Sequence, residues 1–152
     1  MNKYAVVVLV LFFSFLIISC STPNAPSSAA EKATVFKSQS CGCCGLYIRY
    51  LGQQDLTVET VDVPDMTVVK NQQSIPSSMQ SCHTTTIGNY FVEGHIPIEA
   101  IEKLMTEKPN IKGIALPDMP SGSPGMPGSK QGPFIIYALG NDGSVGEFMR
   151  MS

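Results

Sequence analysis

The 152-residue sequence is poor in charge: Asp, Glu, Lys and Arg together make up 14% of it, and its formal net charge is −2. It has no basic patch, which leaves no argument for a nucleic-acid partner. Internal repeats are missing, so repeat architectures are excluded. The two separated Cys-x-x-Cys pairs of a zinc ribbon are absent as well. The longest apolar run, residues 5–18, has 14 residues. That falls short of the ~20 a helix needs to span a bilayer.

What is present begins with that run. Behind a single Lys3 it reads as an export signal rather than a transmembrane anchor. It ends in Leu16-Ile17-Ile18-Ser19-Cys20, which resembles the lipobox of bacterial lipoproteins, where a small residue directly precedes a cysteine. The resemblance implies cleavage before Cys20 and a lipid on Cys20. Ser21 in place of Asp implies the outer membrane rather than the inner. The alternative is an ordinary signal peptide that happens to contain a cysteine. Residues 21–30 (STPNAPSSAA) are small and polar and read as a tether. The expected organisation is a signal peptide over 1–19, a lipidated cysteine and flexible tether over 20–32, and one domain over 33–152. Loss of residues 1–19 removes Lys3 alone among the charged residues, leaving 9 basic against 12 acidic and a formal charge of −3.

Within the domain, Ala33 to Phe36 is β-prone and runs into Ser40-Cys41-Gly42-Cys43-Cys44-Gly45, three thiols in four residues. Leu46 to Leu51 can make two helical turns that stop at Gly52. Leu56 to Val63 alternates as a parallel second strand would, and Met66 to Gln73 predicts a weak helix because Thr67, Val68 and Val69 are β-branched. Strand, cysteine turn, helix and strand open a thioredoxin-like unit. Ile75-Pro76 sits where such chains carry a proline beside the cysteine turn, and both a cis bond and a plain loop proline fit. Ser81 to His95 is β-rich, with Gly88-Asn89 as a turn or bulge. Pro97 opens a helix with Ile98, Ile101, Leu104 and Met105 on one face and a Glu99–Lys103 pair at i,i+4. Ile111 to Leu116 is another strand, followed by a Pro/Gly/Ser loop that contains Met119 and Met126. Asn141-Asp142-Gly143 then joins a final hairpin. The expected fold is α/β and thioredoxin-like, a mixed sheet flanked by helices with a Pro/Gly/Met loop.

The chemistry lies in the sulfurs. With Cys20 assigned to lipid, Cys41, Cys43, Cys44 and Cys82 remain. In an oxidising envelope an even count reads as disulfides, and the feasible pairings are Cys41–Cys44 with Cys43–Cys82, or some exchange among them. The other reading is a metal site. A Cys-x-Cys-Cys turn at a helix N-terminus favours thiolates, and thiolate and thioether sulfurs are soft donors that select Cu(I). Thiolates also bridge metal ions, so a polynuclear Cu(I) site is within their chemistry. Met119 and Met126 lie in a loop with no apolar partner nearby, unlike Met66, Met79, Met105 and Met149, which read as core fillers. His83, next to Cys82, and His95 are borderline donors that equally read as structural histidines. Zinc on Cys41, Cys43 or Cys44, Cys82 and His83 is the other metal reading, and it leaves the methionine loop unexplained.

Cys41-Gly42-Cys43-Cys44, Ser81-Cys82-His83-Thr84, Gly94-His95-Ile96-Pro97 and the stretch Pro117 to Met126 resemble, in order, the motifs of the CopG-type copper-resistance proteins, domain of unknown function 411. The resemblance covers residues 33–148. It implies a periplasmic thioredoxin-like domain, encoded among copper-efflux and detoxification genes, that binds Cu(I) through Cys41, Cys43, Cys44 and Cys82, with Met119, Met126 and a histidine completing the site. Copper ions and envelope copper-efflux or chaperone proteins are the implied partners. Two positions depart from the pattern, Asp118 where the family often has Gly and Tyr47 where it often has a larger aromatic; neither removes a donor. The competing expectation is a thiol–disulfide oxidoreductase using Cys41 and Cys44, against which Cys43 counts as a third, competing thiol.

Overall fold

The computed structural model describes residues 31–54 and 56–152. The expected signal peptide, the lipidation site Cys20 and residues 21–30 of the expected tether lie outside them. The first strand among the described residues starts at Lys32.

β1 (Lys32–Lys37) leads into α1 (Gly42–Leu51), β2 (Thr57–Asp62), α2 (Met66–Gln72) and a short 3₁₀ turn (Ser77–Met79). A hairpin of β3 (His83–Ile87) and β4 (Tyr90–Glu93) follows, then α3 (Ile98–Glu107), β5 (Ile111–Ala115) and the hairpin β6 (Phe134–Gly140) and β7 (Val145–Met151). All seven strands form one mixed sheet in the order β2-β1-β3-β4-β5-β6-β7. β1 is parallel to β2 and antiparallel to β3, and β4 is parallel to β5. No helix among the described residues is long and apolar enough to cross a membrane.

Alternation along the strands splits the apolar side chains between two faces. Tyr47 and Leu51 of α1 and Ile101 and Leu104 of α3 pack with Val35, Ile87, Val92, Ile114 and Ile136 on one face. Ile75 and Met79, with Phe91, Ala115 and Leu139, fill the other. α2 forms despite its β-branched run because Asp65 caps it, its carboxylate accepting from the Thr67 N–H at 2.8 Å.

Two local expectations change. Helix α1 starts at Gly42 rather than near Leu46, so Cys43 and Cys44 lie inside its first turn and Cys41 is its N-cap. On α3, Lys103 pairs with Glu107, not Glu99. Both partners are one turn away, and the ammonium also lies 5.0 Å above the Phe148 ring of β7, a cation–π contact that fixes where it sits. The Ile75–Pro76 bond is trans, as are all peptide bonds among the described residues.

Candidate metal centre

The register of β1 against β3 sets Lys37 opposite His83, so the end of β1, the thiol turn and the start of β3 share one pole of the sheet. There the Sγ atoms of Cys41, Cys43, Cys44 and Cys82 all lie within 4.8 Å of one another, as do the ligating atoms of Cys82, His83 and His95. Cys41 and Cys44 are joined by a disulfide, while Cys43 and Cys82 are free thiols. Cys82 is the centre of the cluster: its Sγ is 3.9 Å from that of Cys43, 3.7 Å from that of Cys44, and 3.2 Å from both His83 Nδ1 and His95 Nε2.

The hydrogen bonds fix the tautomers. His95 Nδ1 faces the Pro124 carbonyl at 2.6 Å, which can only accept, so the proton is on Nδ1 and the Nε2 lone pair points at Cys82. Cys82 has one proton to give. With that proton directed to His95, His83 Nδ1 is the donor to the sulfur, and His83 Nε2 is left as a bare lone pair. That nitrogen is buried without a hydrogen-bond partner among the described residues, which is rare for a polar atom.

Burial pushes the Cys82 thiol up to about 12, and the neighbouring Cys43 adds to the shift. Burial also lowers His83 to about 3, helped by His95 and Lys70. His95 is lowered by burial, against the opposing pull of the Pro124 carbonyl. The apo cluster is therefore neutral: one protonated thiol between two uncharged imidazoles.

Tyr47 is the wedge that holds the rings. Its ring centroid is 4.6 Å from that of His83 and 5.2 Å from that of His95, the two imidazoles are 4.9 Å apart, and its hydroxyl donates to the Ile96 carbonyl at 3.0 Å. The sequence marked Tyr47 only as a position where the family often has a larger aromatic.

The methionine loop reaches the same pole by a different route. Turn bonds within it run from Ser123 N to Pro120 O and from Met126 N to Ser123 O. Gly125, at φ +78°, lies so close to α1 that a Cβ would stand 2.6 Å from the Tyr47 nitrogen. With the His95–Pro124 bond, this presses the Pro124–Met126 end of the loop against the thiol helix. Met119 follows β5 at the other end of the loop, itself left-handed at φ 45°. Both methionines are half-buried. The cysteine and histidine donors are thus gathered into one cluster, and the Pro124–Met126 end of the loop packs against the same pole.

Two residues outside the predicted donor set also belong to this pole. Lys70 of α2 and Glu93 at the end of β4 form a buried ion pair. Neither could be found from sequence spacing, since Lys70 sits in a short helix and Glu93 in a strand with nothing to mark either as inward-facing.

A family model described as a protein of unknown function, DUF411, matches residues 79–126, which hold Cys82, both histidines and both methionines. No curated protein matches the chain. Two solved structures of a copper resistance protein CopG are similar to it over nearly their whole length. Form 2 is 35% identical with a TM-score of 0.76, covering 81% of this chain and 99% of that one. Form 1 is 37% identical with a TM-score of 0.72, covering 78% and 95%. Identity at this level over this much of both chains carries more than a shared fold, and the chain belongs to the CopG-type copper-resistance family.

Proposed function

We propose that this protein is a lipid-anchored periplasmic copper-binding protein of copper resistance, holding Cu(I) on Cys41, Cys43, Cys44 and Cys82 with donors from His83, His95, Met119 and Met126. One observation carries the reading: Cys82 Sγ stands 3.2 Å from two imidazole nitrogens inside a group of four cysteine sulfurs. A proton now occupies the line between Cys82 and His95, and a soft cation that displaces it meets a thiolate and a nitrogen lone pair together. A metal held by His83 would use Nδ1, the nitrogen that faces the sulfur, with the ring proton moved to the unpartnered Nε2. Four thiolates require the Cys41–Cys44 disulfide to be reduced, so metal loading and thiol redox are linked at this site. Thiol sulfur and imidazole nitrogen donors in one place, with a methionine-bearing loop packed beside them, suit both Cu(I) and Cu(II), which puts cycling between them within reach of the same ligands. The strand order β2-β1-β3-β4, with β1 and β2 parallel and β3 and β4 antiparallel, supports a thioredoxin-like assignment for the part that carries the thiols.

The test uses the full chain, purified in detergent, reduced, and titrated with Cu(I) against a chromophoric Cu(I) chelator. Retention of copper in competition, with sulfur and nitrogen neighbours in X-ray absorption, is expected. Loss of all copper to the chelator, or retention of zinc in preference to it, rules the reading out.

The Cys41–Cys44 disulfide favours a second reading, a thiol–disulfide oxidoreductase. It requires exchange with protein disulfides in the absence of metal, unaffected by Met119→Leu and Met126→Leu.

A further inference from the structure

Lys70 and Glu93 are among the most deeply buried charged residues described, at 5% and 0% exposure. Glu93 Oε1 accepts from Lys70 Nζ and, at 2.6 Å, from the backbone N–H of Ser81. Its Oε2 accepts from the Thr84 hydroxyl at 2.6 Å, and Lys70 Nζ lies 3.5 Å from the same hydroxyl. A carboxylate with all of these donors is fully satisfied, but removing two charges from water costs several kcal/mol per ion, and well-packed apolar side chains commonly do as well or better. Stability alone does not account for the pair.

Its placement does. Ser81 and Thr84 bracket Cys82 and His83, so one carboxylate grips the chain on both sides of the central thiol and the first imidazole. The next residue, Gly94, donates its N–H to the His83 carbonyl at 3.0 Å. At φ +81°, a Cβ on Gly94 would lie 2.6 Å from both Ser81 Oγ and the Leu116 carbonyl, so the backbone after β4 packs directly against the Ser81 side chain and the Leu116 carbonyl here. His95 follows at once. Cys82, His83 and His95 come from two separate segments, and Glu93 is the side chain that joins those segments. The register pairs Thr84 with Glu93, which puts this clamp on the α2 face of the sheet, while His83 turns to Tyr47 on the α1 face. The clamp therefore holds the donors from behind without competing for a place among them.

We infer that Lys70 and Glu93 are positioning residues of the metal centre, setting the spacing of Cys82, His83 and His95 from behind the sheet, with Lys70 holding the carboxylate in place. This rests on the copper-binding reading above. Outer-shell groups that orient ligands are typically worth ten- to a hundredfold in metal affinity, whereas a pair that only filled space would leave affinity unchanged wherever the fold survives.

The experiment compares wild type, Glu93→Gln, Lys70→Met and Lys70→Arg as full chains in detergent. It reads Cu(I) affinity by chelator competition and the copper neighbours by X-ray absorption, with far-UV circular dichroism as a check on folding. Glu93→Gln and Lys70→Met are expected to weaken Cu(I) roughly ten- to a hundredfold and to lose nitrogen neighbours while keeping sulfur, with Lys70→Arg closer to wild type. The double variant Lys70→Met with Glu93→Leu covers the case in which single variants misfold, because an apolar pair restores packing. It is expected to fold and still bind weakly. Wild-type affinity with an unchanged nitrogen shell in the folded double variant, or in both single variants, overturns the inference. Failure of wild type itself to retain Cu(I) overturns the copper reading instead, and this inference with it.

Discussion

At the scale of single residues, burial sets the chemistry of this pole. His83 is neutral because its ring lies under Tyr47 with no room for hydration, and the unfolded chain has no such restriction. Its folded pKa of about 3 lies below the ordinary histidine value of about 6.5, so in acid the unfolded state binds a proton that the folded state refuses. Stability then falls as the pH drops from about 6.5 toward about 3. The shift of His95 has the same sign. Carboxylates titrate mainly below about pH 4.5, so above that only the histidines contribute. Urea denaturation of the metal-free, chelator-treated protein is expected to show a loss of about 2 kcal/mol between pH about 6.5 and about 4.5. A flat profile over that window would show that His83 is hydrated. The clustered cysteines and histidines themselves were legible in sequence, because His83 adjoins Cys82 and all four thiols stand out in a chemically plain chain. Lys70 and Glu93 were not, since a charged residue on a short helix or strand ordinarily faces water and only the third dimension shows these two facing each other.

At the scale of elements, the centre depends on how closely a loop and a helix approach. Helix α1 was read from its apolar residues and therefore placed too late, because Gly42, Cys43, Cys44 and Gly45 show no amphipathic pattern and carry two poor helix formers. The Pro/Gly loop was legible as a loop, and its methionines as unusual, but not the contact that brings it in. Gly125 makes that contact. Gly125→Ala is expected to fail twice. The left-handed backbone costs an L residue about 1–2 kcal/mol, and the methyl group meets the Tyr47 nitrogen at 2.6 Å. The loop must lift, breaking the His95–Pro124 bond that fixes the imidazole tautomer. Reduced stability together with weaker Cu(I) binding is the expected result. By contrast, Gly143→Ala, also at positive φ but with nothing within 4 Å of the added methyl group, should lower stability without touching copper. Equal effects of the two substitutions on copper affinity would mean the loop is not held through Gly125.

At the scale of the whole molecule, the sheet has two poles with different tasks. The individual strands were legible from local pattern, including the Asn141-Asp142-Gly143 hairpin, but not that β5 would pair in parallel with β4 and so extend the sheet by three strands; that pairing depends on α3 crossing over one face, a long-range choice that local patterns do not encode. β1 runs from Lys32 beside the Ile87 end of β3 to Lys37 beside His83. The chain therefore enters the sheet at the pole opposite the thiols, the end from which an anchor on Cys20 would hold the domain. Anchoring and metal binding are then separable. Cys20→Ser is expected to move the protein from the membrane fraction to the soluble periplasmic fraction while leaving Cu(I) affinity within about twofold of wild type, since the Lys32 end of β1 lies beside Ile87, away from the donors. A variant that stays with the membrane argues against lipidation at Cys20. One that becomes soluble but loses copper would mean that the far pole reaches the site in a way this strand order does not allow.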